Sequence, residues 1–591
     1  MSLKLQQKLK QFTRAARELM IRLISPIREF VQEYVIGRWK YFYRVRRFAF
    51  GWLAFASLIV IGGGLQTLNL VDSQQESYPL PGGSLREGIV GSLTSFNPLF
   101  ADTSADQAAS ELLFDSLLTY DDDGRLRPEL AQSWKSNEDA DVYTVTLREN
   151  LQWHDGKPLT ADDVVFTVEL MKNPRLGVDR LLNTWTGVEV EKLGKRTVEF
   201  RLPNSLAPFP PLLRFGVVPE HILSGQPVES LRSDVFNRQP IGSGPFTFFE
   251  YNMDNDSVTF EANEDYYQSV PRLERYQIRA YEDEATRLEA MESGQIDVYA
   301  SEQPAEGDKY DQHTARLSRT RYLFFNTRPD QITDDAELRR ALTQAIDPAK
   351  FDSNAADTIQ GMLLRDQLKL DGKYHQLEYN SEKAKSRLEN LGWTQPEGSS
   401  IRQNKSDLQL RLDLVYPDRP LEQEQARRVR DQLRSVGVGV DLIGLDQEEF
   451  NQALFIDRAF DLVLASVDSG IDPDVFVYWH SSQNDEGGLN ISGVRDDDMD
   501  RALAAGRTRS SDRLRKAKYQ TAAEQWRSQA PAVSLSQDNY YIITRSRVMA
   551  YDGVLLSDVI DRYNDVENWT AQVIEQLPAN YKQEQIDGPR E

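Results

Sequence analysis

Three regimes of hydrophobic and polar patterning follow one another along the 591-residue chain. In the first, Leu5, Leu9, Phe12, Ala16, Leu19, Leu23, Ile27, Phe30 and Tyr34 recur every three to four residues with bases between them, which predicts an amphipathic helix. In the second, Phe48 to Val71 runs for 24 residues without a charge. A helix of that length reaches about 36 Å at ~1.5 Å per residue, enough to cross a hydrocarbon core of ~30 Å. The third begins near residue 84, where short alternating or β-rich runs predict strands: 143–147, 197–202, 321–326, 408–415 and 460–464. Helical spacing covers 107–118, 162–171, 285–291, 335–345, 382–391, 422–436 and 497–505. Strands and helices are interspersed throughout, so the expected fold class is α/β. Residues 72–83, polar and carrying Pro79, Pro81 and the Gly82-Gly83 pair, read as a linker.

Charge sharpens this division. The chain carries a net −23, yet residues 1–47 hold twelve Lys/Arg against three Asp/Glu. That segment is therefore +9 and the rest −32. A basic flank before an apolar span predicts a cytoplasmic N-terminus and an outward-facing remainder, with 48–71 as an uncleaved transmembrane anchor. The competing reading is a signal peptide cleaved at Ala54-Phe55-Ala56, although that site lies inside the apolar run. The basic helix of 1–47 either lies on the anionic inner leaflet or serves as a partner or solvated helix. The acidic balance speaks against a nucleic-acid partner, which would draw on excess Lys and Arg. With no cysteine, disulfides, thiolate nucleophiles, Cys-ligated metals and a lipidated cysteine anchor are all excluded.

Catalytic motifs are not found: there is no H-E-x-x-H, G-x-S-x-G or Walker A pattern. His154, His221, His313, His375 and His480 show no paired-ligand spacing, so no metal or cofactor is expected, and no enzyme. In TADDV, Thr160 is placed to cap a helix with Asp163 three residues on, which makes the Asp155/Asp162/Asp163 cluster structural. Gly156 marks a turn, and Gly242 and Gly244 in IGSGPF are expected to supply positive φ in another.

A longer signature carries more information. Residues 129–171, ELAQSWKSNEDADVYTVTLRENLQWHDGKPLTADDVVFTVELM, resemble the signature region of the family 5 extracellular solute-binding proteins, the peptide-binding components of ABC transporters. The same order of landmarks continues through IGSGPF (241–246), ANEDYYQ (262–268), YEDEATRLEAMESGQIDVY (281–299), YLFFNT (322–327), LRRALTQAID (338–347), YNSEKAKSRLENLGW (379–393) and RRVRDQLRSVGVGVDLIGLDQEEF (427–450).

The resemblance implies a two-lobed periplasmic-binding-protein-like fold of the class II type with an extra inserted domain. Lobe one would use 84–120, 218–325 and 532–575, with 121–217 as the insert, lobe two would be 326–531, and 576–591 a flexible tail. Crossings between lobes would fall near 322–327 and 531–537. It implies as partners a short peptide and an ABC permease with its ATPase subunits, with the membrane reached through the N-terminal helix. An extended ligand would be held by backbone bonds from Asp102-Thr103-Ser104 and Ala465-Ser466-Val467, and wide wet pockets would take its side chains. Relatives place an aspartate four residues before the proline of VDSGIDPDVF to meet the ligand amine. That position is Ser469 here, with Asp468 one residue earlier. Either Asp468 reaches the amine, or Ser469 occupies the place and the ligand is another solute, such as a sugar or metal complex. A sensory or chaperone-like surface protein on the same fold is the alternative from a different class.

Overall fold

The computed structural model describes residues 76–576 apart from 308, 353–358, 510 and 546–547, together with Trp52 and Phe55–Ser57. The basic segment expected over 1–47, nearly all of the membrane helix expected over 48–71, the first part of the linker and the tail beyond Gln576 lie outside the described residues. Among the described residues no helix is long and apolar enough to cross a membrane. The chain divides into two compact units, residues 1–78 with 574–591, and residues 79–573. Among the described residues Glu76–Pro79 pairs with Val573–Gln576 in a two-stranded ribbon.

The second unit is a mixed α/β structure built on one eleven-stranded sheet. In chain order its strands are β1 (Ser84–Val90), β2 (Phe246–Asn252), β3 (Ser257–Ala262), β4 (Arg275–Tyr281), β5 (Val298–Ser301), β6 (Asp311–Phe325), β7 (Arg411–Pro417), β8 (Gly439–Leu445), β9 (Leu462–Asp468), β10 (Ala532–Thr544) and β11 (Leu555–Leu556). Across the sheet they run β8-β7-β9-β6-β10-β5-β1-β4-β3-β2, with β11 beside β6. The two long strands β6 and β10 therefore join the halves. Asp311–Arg316 pairs with Asn539–Thr544, and Thr320–Phe324 with Ala532–Gln537. Between these stretches Leu317–Arg319 of β6 faces the single Asp538 of β10, a bulge that breaks the register and re-aims the side chains around it.

Apolar packing follows the same division. One core gathers Leu85, Phe96, Leu112, Val145, Val164, Phe200, Ile278 and Leu317 with Ile542 and Trp569. It includes the four-stranded antiparallel sheet ordered Ala131–Ser136, Val142–Leu147, Thr197–Arg201, Glu189–Gly194. Beyond the bulge, alternation along β6 splits two further cores between the faces of the sheet. Tyr322 and Phe324 pack with Val463, Ala465, Trp479 and Trp526, while Leu323 and Phe325 pack with Leu412, Leu462, Leu464, Val429 and Leu433.

Local signals predicted several elements closely. Ala161–Met171 forms a helix with the Thr160/Asp163 capping box in place, and Gly156 takes φ +79° in its turn. Two readings need correction. The helix expected over 107–118 is Ser104–Leu113, ending where Phe114 turns extended and leaving Leu118–Tyr120 as a strand. The carbonyl of Leu113 accepts from the N–H groups of Ser243 and Gly244, each at 2.9 Å. This is also why Gly242 and Gly244 are glycines. Neither has positive φ; a Cβ on Gly242 would lie 1.8 Å from the Leu113 oxygen, and one on Gly244 2.7 Å from the Leu113 carbonyl carbon. Helix Asp512–Gln529, strand β10 and the first half of β6 were not anticipated.

Candidate functional site

Strand β9 is paired unevenly on its two sides. Along one side Leu462–Asp468 runs antiparallel to Phe325–Arg319 of β6. On the other, β7 reaches only Leu462 and Val463. Among the described residues, no strand pairs with Leu464–Asp468 along that edge. Alternation sends Ala465 and Val467 into a core and leaves Ser466 and Asp468 exposed on the opposite face. Arg321 and Arg319 of β6 stand directly opposite these two residues.

A polar network fills that face. The side chain of Arg321, only 7% exposed, donates through Nη1 to Gln425 at 2.7 Å and Glu422 at 3.2 Å, and through Nη2 to Asp538 at 3.3 Å. Glu422 also accepts from Arg419 at 2.7 Å. Arg319 donates to Glu302 at 2.6 Å and its Nε lies 4.0 Å from Asp468. Ser466 Oγ sits 3.5 Å from Asp538. The carboxylates Glu302, Glu422, Asp468 and Asp538 outnumber the guanidiniums Arg319, Arg321 and Arg419, so the face has a surplus of negative charge. Burial pushes the Asp538 carboxyl above its ordinary range, against the pull of Arg321. The Asp468 carboxyl is raised as well, by desolvation from the groups crowded around it although about half of its side chain is exposed, with Arg319 and the Gly470 N–H opposing.

Two cavities adjoin the network. One of about 820 Å³ is lined by Tyr299, Glu302, Arg419 and Glu422 among others. The other, about 240 Å³, shares Arg321, Arg419, Glu422 and Ser466 with the network and is walled elsewhere by apolar side chains such as Phe450, Leu454 and Ile491 together with the polar Gln447 and Asn451.

The residues singled out from sequence divide into two groups. Ser466, Asp468 and Ser469 meet around the bulge together with Ala465 and Val467, whose side chains are buried. Ser469 is committed locally: its N–H and Oγ reach the carbonyl of Ser318 at 3.1 and 3.3 Å, and Gln367 donates to its Oγ at 2.8 Å. Asp468 differs, its side chain 48% exposed and its backbone carbonyl accepting from Tyr478 at 2.5 Å. Asp102, Thr103 and Ser104 do not join this network. Thr103 caps its helix, accepting from Asp106 N at 3.0 Å and donating to Ser92 O at 2.7 Å. Asp102 faces Arg180 and Arg232, each at 3.8 Å, and Ser104 is exposed.

Sequence reading missed Glu302, Arg319, Arg321, Glu422 and Asp538. The alternation in Ser318-Arg319-Thr320-Arg321, charged residues at every second position leading into an apolar strand, was the available signal for the two arginines. The remaining side chains of Trp479 and His480 pack: Trp479 is buried and His480 stacks on Phe476 at 4.1 Å. Asp472 and Asp474 are held by Arg515 at 2.5 Å and Arg507 at 2.9 Å, fixing the loop after β9.

Comparison with known proteins agrees with this architecture. Residues 125–488, more than half of the chain, match the family described as bacterial extracellular solute-binding proteins, family 5 Middle. The oligopeptide-binding protein AppA of Bacillus subtilis is 25% identical over 527 residues, covering 86% of this chain and 95% of that protein. Among solved structures, the ABC transporter substrate-binding protein CtaP of Listeria monocytogenes superposes with a TM-score of 0.70 at 26% identity, covering 83% of this chain and 99% of that one. NikZ of Campylobacter jejuni in complex with Ni(L-His) superposes with a TM-score of 0.65 at 24% identity, covering 82% and 99%. The chain belongs to family 5 of the bacterial extracellular solute-binding proteins, which are transport binding proteins and not enzymes.

Proposed function

We propose that the protein captures short peptides outside the cytoplasmic membrane and delivers them to an ABC permease, held at the membrane by its N-terminal apolar span. The observation that carries the peptide reading is the edge of β9 from Leu464 to Asp468, which has no strand partner among the described residues and ends beside an acidic surplus. An extended peptide adds to such an edge through backbone hydrogen bonds that do not depend on its sequence. Its free α-amine then meets Asp468 in a charge-assisted bond, Ser469 being occupied by Ser318 and Gln367. Residues 84–120, 218–325 and 532–575 form one lobe with 121–217 inserted, 326–531 the other, and the crossings of β6 and β10 near 322–327 and 531–537 serve as the hinge. Asp102–Ser104 contributes from lobe one when the lobes close on ligand, a shift of population toward the closed form.

Binding of dipeptides and tripeptides with free and acetylated N-termini to wild type and Asp468→Asn tests this. Free-amine peptides are expected to bind wild type at least about tenfold tighter than acetylated ones, the equivalent of ~1.4 kcal/mol, and the difference is expected to vanish in the variant. Equal affinities in all four combinations would remove Asp468 from the site. A second reading, a metal complex as ligand, is favoured by the nickel complex held by NikZ on the same fold. Mass spectrometry of co-purified material separates the two: mixed peptides support the first, a uniform metal chelate the second.

A further inference from the structure

Asp115 is a buried acid outside the candidate site, at the root of the segment 121–217. Both chain connections of that segment bond to residues 115–117. The N–H groups of Glu129 and Ala131 reach the carbonyl of Leu117 at 3.1 and 3.0 Å, Leu130 N–H that of Ser116 at 3.0 Å, and Val217 N–H that of Asp115 at 3.2 Å. Asp115 is only 3% exposed. Its Oδ1 accepts from the Tyr266 hydroxyl at 3.0 Å, whereas Oδ2 is shielded from water and has no hydrogen-bond partner among the described residues.

The charge facing Asp115 is one-sided. Glu129 faces it from the segment before strand Ala131–Ser136, Glu111 from helix Ser104–Leu113, and Glu567 from the short helix Val566–Asn568, with Tyr266 and Tyr267 as the facing hydroxyls. The guanidiniums near Glu129 are engaged elsewhere: Arg127 with Asp565 at 2.8 Å, Arg214 with Asp561, and Arg148 with the backbone carbonyl of Glu129. Glu129 is itself better supported as an anion, its Oε2 accepting from Ser116 N at 2.9 Å and Ser116 Oγ at 2.7 Å. A buried carboxylate with one donor and a like charge beside it is costly, and a neutral acid in the same place much less so. Burial first, and Glu129 next, hold the Asp115 carboxyl well above the usual carboxylate range, against the pull of Tyr266. Among the described residues no group of three or more acids or histidines is placed to hold a metal ion.

We propose that Asp115 is a neutral carboxylic acid with its proton on Oδ2, and that this proton fastens the root of segment 121–217: the closed root keeps it, the opened root releases it, and the joint weakens as pH rises. The inference does not rest on the ligand reading above. An exposed aspartate has a pKa of ~3.9, so above that value opening becomes about tenfold easier for each pH unit, until Asp115 ionises in the folded chain as well.

The test is hydrogen exchange of the backbone amides of residues 129–131 and 217, read by mass spectrometry on the full chain between pH 5 and pH 7. Rates are taken as the ratio of wild type to Asp115→Asn at each pH, which cancels the intrinsic pH dependence of exchange and the shared contributions of Glu111, Glu129 and Glu567. The ratio is expected to rise at least about tenfold over this interval, toward a hundredfold. Glu129→Gln removes the neighbouring anion and is expected to shrink the rise in exchange with pH; it supplies the same readout against wild type should Asp115→Asn not fold. The infrared carbonyl band of a protonated carboxylic acid is expected at pH 7 in wild type and weakened in Asp115→Asn. A smaller rise in the ratio, a pH dependence unchanged by Glu129→Gln, or a band unaltered by Asp115→Asn overturns the proposal.

Discussion

Replacing Arg321 by Met tests whether the network beside the β6–β10 bulge is held by charge pairing or merely fills space. Methionine keeps much of the aliphatic stem but removes the bonds to Glu422, Gln425 and Asp538. Glu422 keeps Arg419 at 2.7 Å. Asp538, its side chain 12% exposed, loses its main counter-charge. Removing one partner of a buried pair costs ~3–5 kcal/mol, and because one of the two carboxylates keeps a partner the lower end applies, ~3 kcal/mol near pH 8. The sign of the pH dependence follows from Asp538. Its folded pKa is raised above the unfolded value of ~3.9, so the folded state holds the proton more tightly and stability falls as pH rises through that interval. Without Arg321 the folded pKa rises further, and each added unit contributes ~1.4 kcal/mol of extra loss at high pH. Urea unfolding of the full chain at pH 5 and pH 8, followed by the fluorescence of the buried Trp479 and Trp526, should show a larger deficit at pH 8. Adding Asp538→Asn should recover most of that deficit and flatten its pH dependence. Equal deficits at both pH values, or no recovery in the double variant, would refute the charge-pairing account.

Other outcomes follow from single side chains. His154 is held neutral by burial, its pKa lowered to about 4, with Nδ1 accepting from Gly242 N at 3.1 Å and Nε2 donating to Gly244 O at 3.0 Å. Its contribution is present above the unfolded pKa of ~6.5 and is lost as pH falls toward 4, so His154→Gln should flatten the stability profile in that window by ~2 kcal/mol, read from unfolding midpoints at pH 7 and 4.5. Gly242→Ala sets a Cβ 1.8 Å from a backbone oxygen that cannot yield and should cost more than ~3 kcal/mol, whereas Gly156→Ala, strained only by φ +79° with open space around it, should cost about 1 kcal/mol. Comparable losses in these two variants by denaturant titration would contradict the close-approach explanation. Thr160→Ala should lower stability by ~1 kcal/mol through loss of the capping box, with amide exchange rising at the start of Ala161–Met171.

What the sequence determined by itself was mostly local or cumulative. Charge separates a basic first segment from an acidic remainder, and Thr160 with Asp163 specifies a helix start because both partners lie within one turn. The run of motifs over residues 129–450 identifies the family because order and spacing accumulate along the chain. Helix Asp512–Gln529 escaped because its polar residues surround only a few buried ones, Tyr519, Ala522, Ala523 and Trp526. The first half of β6 alternates polar residues that only pairing with β10, some 220 positions later, holds as a strand. Likewise Gly242 looks like a turn glycine until the carbonyl of Leu113 is set against it. The site belongs to the same class. Arg321 finds Asp538, Glu422 and Gln425 across 217, 101 and 104 residues, and Ser469 is withdrawn by Gln367 across 102. Only the tertiary structure decided these partners, because hydrogen bonding and ion pairing act over a few ångströms in space while chain separation sets no limit on which groups meet.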